Sequence, residues 1–208
     1  MSQTFVPEDP QRFATAMRRF DEEKSRDPNV QPYNGKTVPR ELAYSEWLSA
    51  WVLRLKPEAS EALRLAARSA HLCRWVISRD TYPSTRAGYL RWREALKQFH
   101  AQKVATILAE AGYSQTAIEQ VQGLVSKRAF PNDPESRVLE DALCLVFLEH
   151  QLADLAEKNP ADKMVNALQK SWKKMTPMAR EIARGLSFEP RERALLDRAL
   201  SVNEADQD

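Results

Sequence analysis

Helical periodicity runs almost without a break from Asp9 onward, and prolines fall where one amphipathic stretch gives way to the next. This constrains the fold more than any motif does, because apolar residues recurring every three or four positions line one face of a helix and cannot line one face of a strand. Phe13, Met17 and Phe20 form such a stripe in a first helix expected over about 9–26, which stops before Asp27-Pro28-Asn29. Pro39 opens a second helix through about Leu55, and others are expected over about 58–78, 84–111, 115–128, 134–157, 161–174, 177–185 and 189–202. Ser114 reads as an N-cap and Ala111-Gly112-Tyr113 as a glycine stop. Val30 to Val38, which contains Asn34-Gly35, reads as a loop, and no alternating β-branched run argues for a strand. The expected fold is therefore all-α, a compact multi-helix bundle. A single domain is expected over residues 1–208, with its core at about 10–185 and an unstructured acidic end over 203–208.

Thirty-one basic residues against 29 acidic ones leave a net charge of +2, too balanced for a general nucleic-acid or membrane binder. Local clustering matters more than this total. The five glycines form neither a dinucleotide fingerprint nor a P-loop, which argues against Rossmann and P-loop chemistry. Cys73 and Cys144 lie in apolar helical patterns without metal-ligand spacing, as expected of thiols in a reduced compartment. With no signal layout and no apolar stretch of spanning length, a soluble, cytoplasmic protein with no membrane partner is expected.

Val138 to Leu148 is the most apolar run in the chain, yet it contains Glu140 and Asp141. Asp141 shares a face with Val138, Leu145 and Leu148, and Glu140 lies over Leu143, Cys144 and Phe147, so neither carboxylate is expected to point into water. A buried carboxylate must be protonated, paired with a cation or hydrogen-bond donor, or bound to a metal. One reading is a structural pairing that ties helices together; the other is a functional site.

In the expected third helix, Arg64, Arg68, His71 and Trp75 follow at spacings of four, three and four on one face, with Arg74 beside them. Arg presents a planar fork suited to phosphate or carboxylate oxygens, so this face reads as an anion site with an imidazole at its centre, or else as a solvated stripe or a set of partners for Glu140 and Asp141. His100 lies mid-helix, Lys127 ends the helix before the Pro131–Pro134 break, and Trp172 is flanked by Lys173 and Lys174. Imidazole and carboxylate together suit zinc, manganese or iron, whereas Trp172, followed by Lys173 and Lys174, suits either a core anchor or a base-stacking platform.

The order of these residues resembles a known pattern. Ala66-Ala67-Arg68-Ser69-Ala70-His71-Leu72, then Phe99-His100-Ala101, then Leu139-Glu140-Asp141-Ala142 is similar to a worn form of the HD-domain phosphohydrolase signature. That resemblance implies an HD-like bundle in which His71, His100 and Asp141 hold a divalent metal that activates water against a phosphate ester. Leu72 stands where the paired aspartate would be and Tyr44 about where the first histidine would fall, with Glu140 or Glu94 as stand-ins. Over most of residues 10–185 the chain resembles more closely an uncharacterised family catalogued as domain of unknown function 4202, through Phe13 to Phe20, Tyr82-Pro83, Gly88-Tyr89, Trp92-Arg93 and Trp172 to Met175. That likeness bears on fold rather than activity.

The functional expectation is a metal-dependent phosphohydrolase acting on a nucleotide or another small phosphate ester. Glu140 and Asp141 would be the catalytic carboxylates, His71, His100 and Asp141 the metal ligands, and Arg64, Arg68, Arg74 and Lys127 the phosphate-binding cations. The alternative is a non-catalytic module that binds a phosphorylated ligand or RNA through the same cations. A third reading is a scaffold whose inward charges are purely structural.

Overall fold

The structure, a computed structural model, describes residues 5–205, the last four by backbone alone. The fold is mostly α, with ten α-helices and one two-stranded sheet among the described residues. Two compact units divide between Leu139 and Glu140.

The first unit begins with α1 (Pro10–Lys24), opened by Asp9, whose carboxylate accepts from the backbone N–H groups of Gln11 and Arg12. The stretch expected to be a loop is instead a hairpin: β1 (Val30–Tyr33) pairs antiparallel with β2 (Lys36–Pro39), Val30 opposite Pro39 and Tyr33 opposite Lys36. Asn34 at φ 49 and Gly35 at φ 74 supply the two left-handed residues that a two-residue hairpin turn demands. The turn was visible in the sequence. The strands were not, because four residues each, two of them prolines, are too few to alternate.

After the hairpin come α2 (Arg40–Leu55) and α3 (Glu61–Ser69), then α4 (Arg86–Glu110) and α5 (Gln115–Val125). Ser60, Thr85 and Ser114 cap α3, α4 and α5 through their hydroxyls. Helix α3 packs against α1, α2 and α5, and α4 against α5. Phe20, Leu48, Trp51, Leu63, Leu65, Val104, Leu108 and Val121 fill the space between them.

One expectation in this unit is overturned. The third helix does not reach 78: it ends at Ser69, Ala70 turns out of the helix at φ −56 and ψ 138, and His71 and Cys73 are left-handed at φ 58 and 55 before a 3₁₀ turn at Arg74–Val76. Arg64, Arg68, His71 and Trp75 therefore do not share a helical face. Each left-handed non-glycine residue costs about 1–2 kcal/mol. Side chains of α1 oppose that cost: Lys24 Nζ donates to the Ala70 carbonyl at 2.7 Å, and the Cys73 thiol donates to Glu23 at 3.3 Å.

Helix α6 (Pro134–Val146) contains the division between the units. The second unit continues through a π-helical turn at Phe147–Gln151, which splits the helix expected over 134–157, into α7 (Leu152–Lys158). It ends with α8 (Ala161–Lys174), α9 (Pro177–Arg184) and α10 (Pro190–Ala205). Helices α7, α8 and α10 pack together, burying Leu152, Leu168, Trp172, Leu196 and Ala199. Of the acidic end expected to be unstructured over 203–208, residues 206–208 lie outside the described residues. No helix among the described residues is long and apolar enough to cross a membrane.

Candidate functional site

The break after α3 gathers the polar groups of the first unit. Lys24 ends α1 on the stripe of Phe20 and is fully buried. Glu41 lies in the first turn of α2, on the face of Tyr44, Leu48 and Trp51, and is 8% exposed. Its backbone N–H donates to Asp27 Oδ2 at 3.0 Å, which fixes the start of the helix. His71 enters from the left-handed loop, with its ring stacked on Tyr44 at 4.4 Å between centroids and 22° between planes. Its Nδ1 stands 3.4 Å from Glu41 Oε2. His100, on the inner face of α4, is 6% exposed, its ring centroid 6.0 Å from that of His71.

Nε2 of His100 is buried without a hydrogen-bond partner, and the buried Oε2 of Glu41 has only the 3.4 Å contact with His71 Nδ1. A buried polar atom left unsatisfied costs about 1–3 kcal/mol. The charges are arranged around them. Burial pushes the Glu41 carboxyl up, but the imidazole of His71 and the cations Lys24 and Arg74 outweigh it and hold the group below its usual range. Burial lowers His71 against the pull of Glu41, and burial together with His71 and Arg74 lowers His100 to about 3. Lys24 is brought to about 7, mainly by burial, with Glu41 opposing. At neutral pH the cluster thus holds a carboxylate, two neutral imidazoles, each with one donor and one acceptor nitrogen, and a lysine whose proton burial makes easier to lose.

The other expected cations have defined partners. Arg68 forms a bidentate pair with Asp21 at 2.6 and 2.8 Å and reaches Glu46 at 3.3 Å. Arg64 donates to the carbonyls of Ala59 and Pro57 and lies 3.9 Å over the Phe5 ring. Arg74 lies 5.0 Å over the Trp92 ring and acts on Glu41, His71 and His100 through its charge. Lys127 follows α5 in a left-handed conformation at φ 54.

Glu140 and Asp141 are buried, 4% and 2% exposed, and have partners in the second unit. Asp141 accepts from the Thr176 backbone N–H at 2.8 Å and from the Thr176 hydroxyl at 2.6 Å, and Thr176 in turn caps α9. Lys174 Nζ stands 3.0 Å from Glu140. Trp172 is buried as a core residue of that unit.

The structure brings His71 and His100 together and adds Glu41 and Lys24, which sequence reasoning did not single out. A signal for both was present: each continues an apolar stripe at a spacing of three or four, Glu41 with Tyr44 and Leu48, Lys24 with Phe20. Among the described residues no group of three or more His, Cys, Asp or Glu side chains is placed to hold a metal ion. Lys24 and Arg74 also bring positive charge to the imidazoles, which opposes a cation beside them.

The family model that matches the chain, described as Domain of unknown function (DUF4202), covers residues 14–196. No curated protein and no solved structure matches.

Proposed function

The chain belongs to this family of unknown function, and from its own residues we propose that its first unit binds a small phosphorylated ligand at the Glu41–His71–His100 cluster without a metal ion. The unsatisfied Nε2 of His100 and the weakly satisfied Oε2 of Glu41 carry the reading. A folded chain retains such atoms at a cost, and a ligand that satisfies them recovers it. Arg74 supplies the positive charge for a phosphate, the His100 imidazole a hydrogen bond to it, and the Glu41 carboxylate an acceptor for a hydroxyl. This combination suits a nucleotide or another phosphate ester that also carries a hydroxyl.

The test is thermal stabilisation by inorganic phosphate, ribose 5-phosphate and nucleoside monophosphates, with and without EDTA. Stabilisation by an ester beyond that by phosphate alone, indifferent to EDTA, is expected. Arg74→Ala and His100→Asn should each weaken binding about tenfold, a loss of about 1.4 kcal/mol. If no ester stabilises the protein, the reading fails.

A second reading, metal-dependent hydrolysis of the same class of ester by an HD-like site, is supported by the Glu41–His71 contact. A carboxylate beside Nδ1 orients an imidazole, and the lowered pKa of His71 keeps that imidazole available as a base. Turnover of a phosphate ester that appears only when zinc, manganese or iron is added and disappears in His71→Ala would move the assignment to this reading.

A further inference from the structure

Residues 74–93 contain five arginines, Arg74, Arg79, Arg86, Arg91 and Arg93, against one acidic residue, Asp80. Interleaved with them are Trp75, Tyr82, Tyr89 and Trp92. In a chain whose net charge is only +2, this is a strong local concentration. Among the described residues, three of the seven exposed large hydrophobic ones, Val76, Tyr89 and Leu90, fall in the same stretch, with Leu90 56% exposed. A merely solvated arginine face does not explain apolar and aromatic surface left open among its cations.

The strip is held in shape. Trp92 Nε1 donates to the Ile77 carbonyl at 3.0 Å, and Arg79 donates to the carbonyls of Tyr82 and Pro83 at 2.8 and 2.9 Å. The loop lies so close to α4 that a Cβ at Gly88 would stand 2.1 Å from the Pro83 carbonyl oxygen, so only glycine fits. Tyr89 and Trp92 are ring neighbours at 5.9 Å, with Arg93 over Tyr89 at 5.8 Å and Arg74 over Trp92 at 5.0 Å. The surface thus presents the exposed Tyr89 ring next to the half-buried Trp92, each with a guanidinium near its face, already ordered before any partner arrives.

We propose that this strip of the first unit is a docking surface for single-stranded RNA. Unpaired bases stack on aromatic faces, whereas the backbone phosphates of the same strand require cations at short intervals. A duplex hides its base faces and leaves the aromatics unused. An acidic peptide matches the arginines but offers no ring for every aromatic. RNA is favoured over DNA because Ser84 and Tyr89, both exposed, carry hydroxyls that can meet a 2′-hydroxyl, which acts as both donor and acceptor. The inference does not depend on the ligand proposed for the Glu41–His71–His100 cluster.

Fluorescence anisotropy of the full chain with labelled single-stranded RNA of about 12 nucleotides tests it. Binding that weakens steeply with added salt is expected. Tyr89→Ala and the combined Arg86→Glu, Arg91→Glu, Arg93→Glu change should each weaken it at least about tenfold. The Arg→Lys version of the triple change, which keeps the charge, should retain most of the binding. All these side chains are exposed, and circular dichroism checks that the variants fold. The variants should keep the thermal stabilisation given by a small phosphate ester, so failure of one proposal is distinguishable from failure of the other. Unchanged affinity in the variants, equal affinity for single-stranded DNA or duplex RNA of the same sequence, or binding to phosphatidylglycerol vesicles without binding to RNA would each overturn the proposal.

Discussion

At the scale of the residue, His100 shows what burial does to an ionisable group. The unfolded chain protonates this imidazole near 6.5, whereas in the folded chain burial and the neighbouring His71 and Arg74 hold protonation off until about 3. Between those values the unfolded state binds more protons, so its contribution to stability is intact above 6.5 and is lost as pH falls. The loss approaches about 1.4 kcal/mol per pH unit. His100→Asn keeps a polar side chain but removes the titration. Urea unfolding from neutral pH down to about 4 should therefore show a shallower acid slope in the variant, and identical slopes would refute this account. Lys24 acts with the same sign at higher pH. Its folded value of about 7 lies below 10.5, so its contribution to stability rises through that window.

At the scale of the element, the sequence placed helix starts well where a hydroxyl or proline marks them, as at Pro39, Ser114 and Pro177. It failed after Ser69 because no glycine, proline or asparagine marks the break. The break is held by the Lys24–Ala70 and Cys73–Glu23 hydrogen bonds, whose partners lie 46 and 50 residues apart. The carboxylates of α6 show the same division: their burial was legible from the surrounding apolar run, but Thr176 and Lys174 as partners were not. Thr176 both caps α9 and satisfies Asp141. Thr176→Ala should therefore cost about 1–3 kcal/mol in chemical denaturation, with Thr176→Ser recovering most of it. If alanine and serine behave alike, the hydroxyl does not hold α9 in place.

At the scale of the whole molecule, the chain has two hydrophobic centres, one on each side of the division between Leu139 and Glu140. Leu63 in the first and Leu168 in the second are almost fully enclosed. Replacing either with alanine should cost about 2–5 kcal/mol by urea unfolding, and a loss below about 1 kcal/mol would show that the site is less packed than its burial implies. The sequence by itself determined the all-α class, the order of the helices and which faces turn inward, since periodicity and capping act over a few neighbouring residues. It also marked His71, His100, Glu140 and Asp141 as candidate site residues. Only the tertiary structure decided which of them meet. His71 faces Glu41 and His100 because α3 ends at Ser69, and that ending depends on contacts from α1, which no local pattern encodes.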